Sequence, residues 1–169
     1  PLYDWLHLHH EDFTGQYGKF YRSFKNATWY IEQKNLFESA AKEQGFMKVS
    51  QQKLEVVKKI QEYTAGGGFL FAMCSATDTY DIALSAENTD ICEYMFDGDP
   101  MDSNADEKLN FNETFAFENF SLIKDPLVYE YSSIDVTSKR KIEEENDFFT
   151  LFEFSAKWDP VPTMLCQNH

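Results

Sequence analysis

Residues 65–82 read AGGGFLFAMCSATDTYDI. Three glycines lead into an apolar run, Phe69 to Met73, the run stops at Cys74, and small and hydroxylated residues follow. A short apolar run bounded by turn residues has the length of a buried strand. Glycines ahead of it allow a tight turn and close backbone approach. The following TYDIALSA can open a helix, with Thr77 or Asp78 as N-cap. Cys74 is thereby expected at the carboxyl end of a strand and beside the amino end of a helix. In open parallel sheets functional groups collect at the carboxyl ends of strands, and helix N–H groups favour a thiolate. Cys74 is the candidate nucleophile on this reading. The competing reading is structural, since glycines and a small-residue turn are what any strand-to-helix connection needs.

Outward from that stretch the pattern is mixed α/β. PLYDWLHLHHEDF alternates Leu6 and Leu8 with His7 and His9 as a short strand would, and ends in a polar cluster. Residues 28–44 place Trp29, Ile31, Leu36, Phe37, Ala40 and Ala41 among charges in a helical pattern that Gly45 stops. Ser50 is the expected cap of a second helix with Leu54, Val57 and Ile60 as its apolar stripe. Strand, helix, helix, strand, helix is the order of a parallel sheet. The acidic stretch DGDPMDSNAD, 97–106, is expected as loop. TFAFENF, LVYEYSSI and FFTLFEFSA then read as strands of a more antiparallel region, with SKRKIEEEND between the last two as a turn or exposed helix. One domain over residues 1–169 accommodates all of this.

The bulk numbers exclude some partners. A formal charge of −14 argues against nucleic acid, because phosphate backbones are bound by lysine and arginine. No apolar run of about 18 residues is present, so no membrane-spanning helix is expected. The start at Pro1 carries no signal-like segment and encodes no compartment. Three cysteines, Cys74, Cys92 and Cys166, are too few and too scattered for a disulfide framework or a CxxC zinc site. Cys92 and Cys166 read as small buried apolar residues. Sixteen Phe, nine Tyr and three Trp are read first as core and sheet packing, and second as a ligand platform.

Two further groups carry candidate chemistry. His7, His9, His10, Glu11 and Asp12 are the densest set of proton-transfer or metal-ligating residues. A parallel strand at Leu2 to His9 would bring His9, His10 and Glu11 to the same rim as Cys74, making a Cys–His pair feasible; the alternative is a packed His7 and a solvated strand end. A metal site on His9, His10 and Glu11 is disfavoured because neighbours on a strand point to opposite faces. DSNADEKLNFNE, 102–113, puts Asp102, Asn104, Asp106 and Glu113 at calcium-loop positions, but Glu107 stands where the loop needs glycine. An ordinary acidic loop is the expectation there.

The words AGGGFLFAMCSATDTYD resemble the GGGF-strand-ATDT segment of ThuA-like proteins, in the class I glutamine amidotransferase-like superfamily. YDWLHLHHEDFTGQYGKFY, GGGFLFAMCSATDTYDIAL, ICEYMFDGDP and SAKWDPVPTML together look like a bacterial family commonly labelled asparagine synthetase B. The resemblance implies a flavodoxin-like parallel sheet with helices on both faces, incomplete at both ends, plus an antiparallel C-terminal part. Two strands with their helices would precede YDWLHL and further sheet would follow QNH, so other subunits or the rest of its own chain are implied partners. The chain departs from the pattern at Ala72 and Ala76, which replace the glycines of the G-x-C-x-G turn, and no H-x-E pair follows Cys74. It also lacks the N-terminal cysteine and SGGxDS loop that asparagine synthesis requires.

What the resemblance implies chemically is amide hydrolysis or transfer without a cofactor. Cys74 would attack a carbonyl, His9 or His10 would act as base, and Ser75, Thr77, Asp78 and Glu11 would line the pocket for a small amide or sugar. The alternatives are a non-catalytic binding or structural module of a cell-envelope assembly, in which Cys74 is buried and inert, and a ThuA-like sugar site with aromatics beside Thr77 and Asp78.

Overall fold

The computed structural model describes residues 4–135, of which 4–134 belong to one compact unit. Strand β1, Trp5–His9, pairs in parallel with β2, Phe69–Met73, in the register Trp5↔Phe69 through His9↔Met73. Between them come a 3-10 turn at Tyr17–Lys19, then α1 (Tyr21–Phe24), α2 (Thr28–Glu43) and α3 (Val49–Ala65). After β2 follow α4 (Ala76–Ser85), α5 (Tyr94–Asp97), α6 (Ala105–Lys108) and a 3-10 turn at Phe111–Glu113. The chain is therefore α/β around a small parallel sheet, in the order the sequence predicts.

The period of two in both strands decides which face is covered. Leu6, Leu8, Leu70 and Ala72 turn to one side and pack with Val57 and Ile60 of α3 and Tyr80, Ala83 and Leu84 of α4. Each large apolar side chain buried there contributes about 1.5–3 kcal/mol. The alternate residues face outward: Trp5, Phe69 and Phe71 are 61%, 56% and 42% exposed. Their rings meet edge to face, with Trp5 and Phe69 centroids 5.6 Å apart. Parallel sheets are normally buried on both faces; among the described residues helices cover one face only, where the expectation was both. Each strand also has one unpaired edge among those residues.

Local chemistry moves several element ends from their predicted places. Helix α2 ends as expected in a Schellman turn, Phe46 N–H donating to Ala41 O with Gly45 at φ +87°. Helix α3 begins ahead of Ser50, because the Gln51 side chain accepts the N–H groups of Met47 and Lys48 and closes the end. At its other end the ring of Tyr63 lies over Gly68, where a Cβ would come 2.2 Å from the ring. Ser75 stands at the N-cap position of α4 without a side-chain capping bond, with Thr77 and Asp78 in the first turn.

The largest departure follows α4. TFAFENF is not a strand, because its N–H groups are taken by a buried carboxylate. Asp81 accepts from Phe115, Ala116 and Phe117 at 2.6, 2.8 and 2.8 Å. Burial raises the Asp81 pKa and the three N–H groups oppose that rise. LVYEYSSI is not a strand either. Residues 121–133 form a narrow hairpin with one antiparallel bridge, Leu122↔Ser132, and Asp125 bonds the N–H groups of Leu127 and Val128 to make the turn where a strand was expected. The FFTLFEFSA and SKRKIEEEND segments lie outside the described residues.

Candidate functional site

The two strands end together, since His9 pairs with Met73. The next residue of each is left-handed: His10 at φ +62° and Cys74 at φ +56°. Non-glycine residues seldom take this conformation, which costs about 1–3 kcal/mol and is found at functional turns. At Cys74 it reverses the chain from strand to helix within two residues and leaves the cysteine exposed. Within this turn the strain is confined to Cys74, because Ala72 and Ala76 have negative φ. Ala76 is fully buried in the core, so its methyl group is packed where the related pattern has glycine. The first N–H groups of α4 lack acceptors within the helix and lie at this same turn.

The histidines take an arrangement that strand alternation does not anticipate. His7 and His9 share the open face, rings 6.4 Å apart and near parallel. The left-handed turn at His10 swings its ring against His9, centroids 3.8 Å apart, so two consecutive residues end on the same side. Among the described residues, no hydrogen bond joins either imidazole to the Cys74 thiol. His9, His10 and Glu11 also do not gather as a metal cluster; the group whose ligand atoms lie within 4.8 Å of one another is Asp90, Cys92 and Asp97.

Glu11 works mainly through its main chain. Its carbonyl accepts from Ser75 Oγ at 3.2 Å and Thr79 Oγ1 at 3.0 Å, tying the end of β1 to the start of α4. One carboxylate oxygen, Oε2, is shut off from solvent without a hydrogen bond. Thr77 Oγ1 donates to Cys74 O at 2.6 Å, which braces the left-handed turn. Asp78 is 4% exposed and accepts from Ser132 Oγ at 3.2 Å. It lies beneath the 121–133 hairpin and not on an open wall.

A loop anchored by Asp12 and Lys19 holds this rim in place. Asp12 accepts from Thr14 N, Thr14 Oγ1 and Gly18 N at 2.6–2.7 Å. Lys19, 3% exposed, donates to Ile123 O at 2.6 Å and Glu130 O at 2.7 Å, with its ammonium 5.5 Å from the Tyr131 ring centroid. Burial lowers the Lys19 pKa to about 8, against the charges of Asp12, Asp125, Asp78 and Glu130. Burial likewise raises the Tyr131 phenol well above its ordinary value, and Asp12 adds to the rise. Asp12 stands out in the sequence as part of the histidine-acid cluster. Lys19 and Ser132 carry no spacing signal, because their partners lie 104 and 54 residues away.

Elsewhere the acidic loop is used up internally. Asp102 accepts from Lys108 and Thr89, and Asp106 pairs with Lys124 and accepts from Leu122 N. Bonding to Lys108 takes Asp102 down to about 2. Glu113 belongs to a separate exposed turn, so the calcium positions diverge. Cys92 is 1% exposed and its thiol donates to Thr14 O at 3.2 Å; burial raises its pKa well above the ordinary thiol value. Cys166 lies outside the described residues. The aromatic-lined cavity lies between α1 and residues 127–130, and neither Thr77 nor Asp78 lines it.

Compared with known protein families, curated proteins and solved structures, the chain matches none of them. No described helix is long and apolar enough to cross a membrane.

Proposed function

We propose that this chain is a flavodoxin-like, class I glutamine amidotransferase-like domain that presents Cys74 as a nucleophile toward a small amide. The observation that carries the reading is Cys74 itself, exposed and left-handed between a parallel strand and a ten-residue helix. That is the backbone form in which a nucleophile is pushed clear of a sheet. The N–H group at Ser75 would hold the developing oxyanion, and His9 or His10 would remove the thiol proton. The family label asparagine synthetase B has no support from an SGGxDS ATP loop in the sequence, so amide hydrolysis or transfer without nucleotide is the chemistry we assign.

A second reading has its own observation. With no hydrogen bond between Cys74 and either imidazole, the turn equally suits a binding module that kept the elbow without the base. The experiment is the pH dependence of Cys74 alkylation in a Cys166→Ser background, for the parent and for His9→Ala and His10→Ala. The catalytic reading expects the profile to move in one histidine variant, naming the base. A profile indifferent to both, with no ammonia released from glutamine or asparagine above the Cys74→Ala level, removes it.

A further inference from the structure

A second site lies away from Cys74. Between α1 and the tip of the 121–133 hairpin is a cavity of about 510 Å³, within the range of small-molecule pockets. Its aromatic members are Phe20, Phe24 and Tyr129. Phe20 lies 6.0 Å from Phe24, edge to face, and 6.0 Å from Tyr129 in a tilted arrangement. Phe24 is 41% and Tyr129 48% exposed, so ring surface stays open to a ligand although both belong to one aromatic cluster.

Charges of both signs surround these rings, and the charges of Asp12, Asp125, Asp78 and Glu130 act on Lys19. The charged members of the lining are Lys19, Arg22 and Glu130, two cations and one acid on a chain of formal charge −14. Lys19 spends its hydrogen bonds on Ile123 O and Glu130 O and contributes only its field. Arg22 is exposed and makes one long contact, Nη1 to Leu127 O at 3.4 Å. A guanidinium has five donors in a planar fork that matches a carboxylate, so most of that fork faces outward. A cationic ligand, which bare aromatic rings would attract, would meet the outward guanidinium of Arg22.

We propose that this cavity binds a small aromatic anion of the aryl carboxylate class, its ring against Phe20, Phe24 and Tyr129 and its carboxylate on Arg22. The assignment is independent of any role for Cys74. Two features act together: ring contacts give affinity to any flat apolar molecule, and the guanidinium selects those that carry a negative group.

The test is a two-dimensional ¹H–¹⁵N NMR titration of the whole chain with benzoate, and in parallel with benzamide, which keeps ring and size but not charge. Benzoate is expected to shift residues 20–24 and 127–130 and to bind about tenfold more tightly than benzamide, the worth of one charge-assisted contact. Arg22→Gln should bring benzoate down to the benzamide affinity, and Tyr129→Ala should weaken both, each in a variant that retains the dispersed parent spectrum. Equal binding of the two ligands overturns the proposal, as does tighter binding of glucose, a benzoate affinity unchanged in Arg22→Gln, or shifts centred on the open face at Trp5, Phe69 and Phe71.

Discussion

Two lysines, Lys19 buried and Lys48 partly exposed, each pin a loop, and they do so with opposite electrostatics. At the strand-end rim Lys19 is held by two carbonyls and an aromatic ring. Next to Cys92, Lys48 is held by three carboxylates, Asp90, Asp97 at 3.0 Å and Asp99 at 2.6 Å. Burial lowers the Lys19 pKa. Burial also acts to lower that of Lys48, but bonding to Asp90, Asp99 and Asp97 raises it overall. Neutral acceptors satisfy an ammonium's hydrogen bonds without repaying its lost hydration, whereas carboxylates do both. The two cysteines divide in the same way: Cys74 stands open at the rim, and Cys92 is closed inside the acidic knot.

The sharpest way to break this contrast is to label both thiols at once. Timed iodoacetamide treatment of the native protein, followed by peptide mapping, should modify Cys74 while Cys92 reacts only through transient opening. For a domain of ordinary stability the ratio of rates should exceed about 10³. Comparable labelling would mean that the knot is not closed and that the contrast between the regions is false.

A smaller effect tests what holds the knot together. Lys48→Met strands Asp90 and Asp97 without their cation, and Asp97 already has its pKa raised, by burial first. The side chain of Lys48 is 24% exposed, so water softens the loss; about 2 kcal/mol is expected from the midpoint of urea unfolding, with Lys48→Arg recovering most of it. Cys92 protection should fall in step, about tenfold for each 1.4 kcal/mol. An unchanged midpoint would show that the three carboxylates do not need the lysine.

How far the sequence discloses these regions depends on the reach of each interaction. The strands β1 and β2, the helices α2, α3 and α4 and the position of Cys74 follow from periodicity and punctuation within about a dozen residues, and the parallel sense of the strands from the order of the elements. The 114–120 stretch misleads because its alternating phenylalanines carry strand propensity while its N–H groups bond to Asp81, 34–36 residues earlier. Tertiary partners override propensity in this way. His10 misleads for a local reason: one left-handed residue cancels strand alternation, and nothing in the word HHED marks which histidine adopts it. Lys19 looks like any surface lysine until the hairpin it anchors is in place.

Lys19 supplies the smallest effect, and one whose sign is diagnostic. In the unfolded chain a lysine keeps its proton to about pH 10.4; in the folded protein Lys19 loses it at about 8. Between those values the unfolded state binds more protons, so stability rises with pH. Below pH 8 the cost of burying the charged form is present in full. The parent minus the Lys19→Met variant should therefore gain about 1 kcal/mol between pH 8 and pH 9 in urea unfolding. The difference is the proper quantity, because Cys92 and the tyrosines Tyr17, Tyr80 and Tyr131, all raised by burial, lower stability at alkaline pH in both proteins and cancel. A flat difference, or one that falls with pH, would mean that carboxylates compensate Lys19 as they do Lys48. The rim and the knot would then be built on the same principle.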